Sequence, residues 1–281
     1  MRELELVERI RKVAESGAAA NSSIIHSIGD DCAVIRPRPR EDLVFTTDFV
    51  LQGRHFLLEK QSADDIGHIA LARSLSDLAA MGSEPLFCLI SIAVPAELAD
   101  KWLRGFYKGL LFLAMKHKIT IAGGDLSRFD NVVADVMCCG RVPRGKAMLR
   151  SAAKPGDSVY VTGPLGAPKR PEPRVAEGIA LRQAGVKACI DISDGLVIDL
   201  HRLCRASWVR ADLEEVPIAK GASLDDALHR GEDYELLFTT RKPNVDGIRI
   251  GTIVKGKPGE VRYRGKPLPV KGFDHFDASS R

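Results

Sequence analysis

The sequence predicts an α/β (α+β) fold in two domains, residues 1–150 and 151–281. Three observations carry this. Strand-like apolar runs alternate with helix-spaced segments along the whole chain. The alternation restarts after the turn-forming run Lys154-Pro155-Gly156-Asp157. Finally, 281 residues suit two domains at roughly 100–200 residues each.

The elements follow in order. Leu4, Val7, Ile10 and Ala14 recur at helical spacing, which predicts an opening amphipathic helix over 4–14. Strand-like runs at Ala33–Ile35 and Leu43–Phe45 flank a Pro- and charge-rich turn, Pro37 to Asp42. Ser62 is placed to cap a long helix whose apolar residues are Ile66, Ile69, Ala70, Ala72, Leu75, Leu78 and Ala79, with Gly82 just past its end. A buried strand is predicted at Leu86–Val94, a helix over 96–117 after Pro95, and strands at Ile119–Ala122 and Val132–Gly140. The second half reads as strands at Ser158–Thr162, Ala188–Ile192, Glu235–Thr239, Arg249–Val254 and Val261–Tyr263, with helices over 174–185 and 194–206. Pro168 to Pro173 reads as a loop.

Composition excludes several classes. With 45% hydrophobic and 28% charged residues, the chain is not dominated by disorder. The net charge, 41 − 37 = +4, is scattered rather than striped, so no nucleic-acid partner is expected. None of the six cysteines forms a C-x-x-C pair, and most lie in apolar runs, which predicts reduced, buried thiols and no zinc knuckle. The charged start, Met1 to Arg9, is unlike a secretory signal. The apolar stretch Leu86–Pro95 is far short of the ~20 residues of a membrane span. The expectation is a cytoplasmic protein with no membrane partner.

Four Asp-bearing segments stand where apolar runs stop: Gly29-Asp30-Asp31, Thr46-Thr47-Asp48, Gly123-Gly124-Asp125 and Asp191-Ile192-Ser193-Asp194. Ligands of open α/β sheets bind beyond strand ends. Carboxylates gathered there repel one another, and a divalent cation bridging them to substrate phosphates removes the repulsion. Each Asp taken singly reads equally as a turn residue, and Ser193 or Asp194 equally as a helix cap. Asp77 sits near the C-terminal end of its helix, where the dipole disfavours an anion. It reads either as a metal ligand or as the ion-pair partner of Arg73 one turn earlier. The run Gly251 to Pro258 approaches a phosphate-binding loop, but Pro258 replaces the Ser or Thr that holds Mg²⁺, so a strand and turn are expected there.

Taken in order, Gly29-Asp30-Asp31-Cys32-Ala33, Thr46-Thr47-Asp48, Gly53-Arg54-His55-Phe56, Leu75 to Gly82, Gly123-Gly124-Asp125, Asp191 to Leu196, Gly231-Glu232-Asp233-Tyr234-Glu235-Leu236 and Gly272-Phe273-Asp274-His275-Phe276 resemble the thiamine-monophosphate kinase family. That family lies within the AIR synthase-like ATP-binding superfamily, and the resemblance runs over nearly the whole chain. It implies a two-domain AIR synthase-like fold: an N-terminal mixed sheet pairing across a homodimer, and a C-terminal α/β domain. It implies phosphorylation of thiamine monophosphate by ATP with several Mg²⁺ ions. Carried over by position, Asp30, Thr46, Thr47, Asp48, Asp77, Asp125, Asp191 and Asp194 are metal ligands, with Asp48, Asp77, Asp125 and Asp191 at the catalytic centre. Gly124, Asp125, Arg150, Ser193 and Tyr107 are ATP contacts, and His55, Glu232 and Phe273 are substrate contacts.

Such a site needs little covalent help from the protein, since phosphoryl transfer rests on positioning and charge neutralisation. By residue type alone, Arg150 equally reads as a solvated loop residue, His55 as a surface histidine and Phe273 as a core aromatic. Two other functions stay open: another ATP-using enzyme of the superfamily, or a non-catalytic nucleotide or thiamine-phosphate sensor. The sequence departs from the family in the short stretch between Gly166 and Asp191, in Arg54, and in Leu126 after the Gly-Gly-Asp run.

Overall fold

The structure, a computed structural model, describes residue 12 and residues 24–26, 34–167 and 170–273. The opening helix over 4–14, Asp30, Asp31 and the run Asp274-His275-Phe276 lie outside the described residues. The described chain divides into two compact units: Met1–Leu78 with Glu84–Arg144, and Ala79–Ser83 with Gly145–Arg281. The sheets are mixed and mostly antiparallel, with helices between their strands.

The first unit is built on a four-stranded sheet. Its strands are β3 (Glu41–Leu51), β4 (Glu84–Val94), β5 (Thr120–Arg128) and β6 (Val133–Pro143), in the order β3-β6-β4-β5. Only β4 and β5 run parallel. A separate two-stranded ribbon joins β1 (Ile24–His26) to β2 (Val34–Ile35). The sheet strands run longer than the apolar pattern indicates. β3 continues through Thr46, Thr47 and Asp48 to Leu51, and β5 continues through Gly123, Gly124 and Asp125 to Arg128. Asp48 and Asp125 therefore stand in mid-strand, which corrects the expectation that both end strands. The pairing is carried by backbone groups, and these are indifferent to a polar side chain on an accessible face.

Between β3 and β4 lies α1 (Ala63–Ala80), and between β4 and β5 lies α2 (Lys101–His117), preceded by a 3₁₀ turn at Ala96–Leu98. The Ser62 hydroxyl accepts the Asp65 N–H at 3.1 Å, and Gly82 closes the other end with φ +66° and an N–H to Ala79 O at 2.9 Å. Both helix-end signals act as expected. The helix is buried nearly all round, however, not on one stripe: Ile66, Ala70, Leu71, Leu75, Leu78 and even Ser74 and Ser76 are fully covered. Its packing against α2 is close enough to need glycine. A Cβ on Gly67 would stand 1.8 Å from Phe106 O, and one on Gly109 1.8 Å from Asp64 O.

The second unit holds a seven-stranded sheet in the order β13-β12-β9-β11-β7-β10-β8. In chain order these are β7 (Ser158–Val161), β8 (Ala188–Asp191), β9 (Arg210–Leu213), β10 (Leu236–Thr240), β11 (Ile248–Val254), β12 (Val261–Tyr263) and β13 (Lys266–Pro267). Every pair is antiparallel except β12 with β9. Among the described residues three helices accompany it: α3 (Val175–Gln183), α4 (Leu196–Ala206) and α5 (Leu224–His229). One core joins Val159, Val161, Ile190, Leu196, Leu200, Leu203, Leu237 and Ile253. Elements β9, α5 and β13 are too short to carry a periodic signal, and the sequence does not predict them. The Gly251 run falls in β11, a strand as expected. Cys88, Cys138, Cys139, Cys189 and Cys204 are free and buried, and no helix of the described residues is long and apolar enough to cross a membrane.

Candidate active site

The first unit gathers carboxylates on both faces of its sheet. Strand alternation sends Thr46 and Asp48 to the face covered by α1, and Thr47 to the other. On the covered face, the Thr46 hydroxyl donates to Asp77 Oδ2. Asp48 Oδ1 lies 3.7 Å from Arg73 Nη2, and Ser74 Oγ donates to Asp48 Oδ2 at 3.4 Å. Burial, then the charge of Asp77, pushes the Asp48 carboxyl up to about 6; Arg73 and Ser74 pull against them, and Asp135 adds to the rise. Asp77 thus stands in a carboxylate cluster with Asp48, and Arg73 lies within ion-pair distance of Asp48.

On the other face, Thr47 Oγ1 donates to Asp135 Oδ1. The strand register lines up Asp135, Ser91 and Asp125 in one row across β6, β4 and β5. Asp125 is exposed. The ladder slips between Cys88 and Leu89 so that β5 kinks just before Gly123. At Gly124 a Cβ would stand 1.9 Å from Ile90 O, so no other residue fits this approach. Tyr107 lies on the buried side of α2, edge-on to Phe106. Burial and the neighbouring Cys88 push its phenol up. His55 stands in the turn after β3, where its Nδ1 accepts the Leu51 N–H at 3.0 Å. The neutral ring then carries its proton on Nε2.

In the second unit, Asp191 is the last residue of β8 and is buried. The turn that follows is held by a side chain from the helix it enters. Asp199 Oδ2 accepts the N–H groups of Ser193 at 3.1 Å, Asp194 at 3.0 Å and Gly195 at 3.2 Å. Gly195 is the N-cap residue of α4, and no N-cap side chain bonds there. The cap reading of Ser193 and Asp194 is thereby corrected: their N–H groups are capped from within the helix. Arg202 Nη1 bridges Asp194 Oδ2 at 2.6 Å and Asp199 Oδ1 at 2.7 Å. Burial and the Asp194 charge raise the Asp199 carboxyl to about 6, while Arg202 opposes them.

Backbone bonds bring three sequence stations together here. The Glu232 N–H donates to Ser193 O at 2.8 Å, and the Phe273 N–H to Asp194 O at 3.0 Å. Glu232 is exposed, and it holds a left-handed conformation at φ 58°, as does Tyr234 at φ 52°. Each such residue costs on the order of 1–3 kcal/mol. Arg150 begins a 3₁₀ turn, with its side chain exposed and its carbonyl accepting the Ser207 hydroxyl at 2.7 Å.

Thr46, Thr47, Asp48, Asp77, Asp125 and Gly124 thus belong to the sheet unit, with Tyr107 and His55. Asp191, Ser193, Asp194, Glu232, Phe273 and Arg150 belong to the other. Sequence reasoning missed Asp135, Asp199 and Arg202. Asp135 breaks the apolar alternation of Val133 to Cys138, and Asp199 is an acid inside an apolar helix pattern; either break was a usable signal. Among the described residues no three His, Cys, Asp or Glu side chains close on one another tightly enough to enclose a metal ion alone. Around Asp48 stand the oxygens of Asp77 and Ser74, with Thr46 bonded to Asp77, together with the Arg73 guanidinium and the Cys138 thiol; burial and Asp77 disfavour the Asp48 charge, and a hard cation would relieve that. Mg²⁺ takes few protein carboxylates and completes its shell with water and phosphate. The chemistry of the set therefore fits that ion.

The family model described as AIR synthase related protein, N-terminal domain, matches residues 29–142. The mixed sheet with its carboxylates is thus of the AIR synthase-related class. A thiamine-monophosphate kinase of Rhodopirellula baltica is 40% identical over 237 residues, 75% of this chain and 74% of that protein. The chain belongs to the thiamine-monophosphate kinase family. The crystal structure of that kinase from Stenotrophomonas maltophilia K279a matches with TM-score 0.83 at 33% identity, covering 95% of this chain and 98% of the other. AaThiL complexed with AMPPCP and TMP matches with TM-score 0.78 at 28% identity, covering 98% and 99%.

Proposed function

We propose that this protein transfers the γ-phosphoryl group of ATP to the phosphate of thiamine monophosphate, releasing ADP and thiamine diphosphate. Within the family, the observation that carries the reading is the Asp48 cluster: a partly covered carboxyl raised to about 6 beside Asp77, which is costly unless positive charge is brought to it. Mg²⁺ is the cation proposed, one ion held by Asp48, Asp77 and the Thr46 hydroxyl; Thr47 and Asp125 on the other face of the sheet, and Asp30, Asp191 and Asp194, are proposed as ligands of further Mg²⁺ ions. When bound, it screens the donor and acceptor phosphates from each other.

The remaining roles fall to the chain itself. The acceptor phosphate is largely ionised at neutral pH, so its oxygen attacks the γ-phosphorus without a protein base and ADP leaves. Arg150 offers an exposed guanidinium for bidentate binding of ATP phosphate. Ser193, Gly124 and Tyr107 are the other proposed ATP contacts. Glu232, His55 and Phe273 are proposed to hold the acceptor, Phe273 by stacking on its cationic or pyrimidine ring. The uncovered sheet face exposes Phe45 at 59% and Phe49 at 57%. Large exposed apolar side chains on a sheet face mark an interaction surface, and we assign it to a second copy of this chain. A cytoplasmic location belongs to the same proposal.

The test is an assay of ADP release with ATP and Mg²⁺, with and without thiamine monophosphate, with the product identified by mass. One thiamine diphosphate per ADP is expected. ADP release without thiamine diphosphate, or no turnover at all, overturns the reading.

A further inference from the structure

We propose that Asp233 and Glu235 are positioning residues that present the Glu232 carboxylate to the acceptor substrate. The proposal deepens the function proposed above and rests on Glu232 as an acceptor contact. Between Gly231 and Thr240, Glu232 is the only residue that is not buried. Residues 231, 232 and 234 all have positive φ, at 76°, 58° and 52°. Two of these are not glycine, and such residues persist only where their surroundings over-determine them.

Two sets of bonds do so. Along the backbone, the Glu232 N–H reaches Ser193 O at 2.8 Å, the Tyr234 N–H reaches Ile192 O at 2.9 Å, and the Ile192 N–H reaches Glu235 O at 2.8 Å. The side chains on either side of Tyr234 anchor inward. Asp233 Oδ1 accepts the Gly166 N–H at 2.8 Å. Glu235 Oε2 accepts the Thr162 hydroxyl at 2.7 Å and Arg174 Nε at 2.9 Å, and Oε1 accepts Arg174 Nη2 at 2.7 Å. The Gly163–Gly166 turn is shaped around this anchor: a Cβ on Gly163 would stand 2.7 Å from Glu235 Oε1.

Asp233 and Glu235 are 7% and 2% exposed. Apolar residues would fill such places at less desolvation cost, so packing alone does not account for two buried acids. With both neighbours drawn inward, the left-handed step at Glu232 turns its own carboxylate outward, beside the Ser193-Asp194 turn to which its N–H is bonded. The strain is thus held by buried carboxylates and serves the one exposed residue of the run.

A double-mutant cycle tests this. Asp233→Asn and Glu235→Gln should each raise KM for thiamine monophosphate, on the order of tenfold, while kcat and KM for ATP stay within about twofold. In a Glu232→Gln background the same substitutions should add nothing further. Arg174→Lys, which keeps the charge beside Glu235 with fewer bonds, should give a smaller loss in the same direction, and it answers the question if Glu235→Gln does not fold. Calorimetric titration of thiamine monophosphate into AMPPCP-saturated protein should rank the variants in the same order. Losses that add to that of Glu232→Gln, or equal rises in both KM values, would overturn the proposal alone. Wild-type protein that neither binds nor turns over thiamine monophosphate would overturn the function and the proposal together.

Discussion

Replacing Asp48 with Asn should make the protein more stable and inactive. The Asp48 side chain is 23% exposed. Its carboxyl titrates at about 6 in the fold against 3.8 ordinarily, because of burial first and Asp77 second. A carboxyl raised in this way binds more protons folded than unfolded, so stability falls as pH rises. Nothing is lost below pH 3.8, the loss grows from 3.8 to 6, and it is complete above 6. The difference, 6 − 3.8 = 2.2, corresponds to about 3 kcal/mol at ~1.4 kcal/mol per unit. Asn is nearly isosteric and carries no charge, so it escapes this cost. The pull of Arg73 is already contained in that rise, so nothing further is subtracted for the lost partner. The gain of about 3 kcal/mol should raise the melting temperature by roughly 6–12 °C near pH 8. The measurement is differential scanning of both proteins in EDTA near pH 8 and near pH 4. Most of the gap should close at the lower pH, and Mg²⁺ with ATP at the higher pH should favour the wild type alone. A variant no more stable than wild type near pH 8, or a gap unchanged near pH 4, would refute the assignment of Asp48 as a carboxylate whose burial and Asp77 neighbour outweigh Arg73.

Three further outcomes are expected. Gly109→Ala places a methyl where 1.8 Å separates it from Asp64 O; α1 and α2 must part, and the melting temperature should fall by about 6 °C or more. Asp199→Ala leaves three backbone N–H groups without their shared acceptor. It should cost about 2–4 kcal/mol in urea unfolding and raise the Mg²⁺ concentration for half-maximal activity. Phe49→Arg on the uncovered sheet face should convert a dimer to a monomer by light scattering, with the melting temperature of the monomer read alongside.

Much of the fold was legible because it is local. Ser62 and Gly82 bound α1 through bonds to residues within three positions of themselves, and apolar spacing alone located both long helices. The strand ends were not legible. Asp48 and Gly124 look like interruptions along the chain, yet a strand continues wherever its backbone finds a neighbour, and those neighbours lie far away in sequence. The candidate site divides in the same manner. Asp48, Asp77, Asp191, Ser193 and Glu232 could be named from motifs that each occupy a few consecutive residues. The groups that hold them could not: Thr47 meets Asp135 across 88 residues, and Arg174 meets Glu235 across 61.

By itself, then, the sequence determined the alternation of elements, the caps, the family and the residue types of the site. Only the tertiary structure decided which face of the sheet each Thr and Asp occupies, that α1 is buried nearly all round, and that Asp199, Asp233 and Glu235 serve their exposed neighbours. Periodicity and capping depend on bonds between near residues and are written along the chain. Facing, burial and charge repulsion depend on pairings closed across long loops, and these exist only once the strands have found their register.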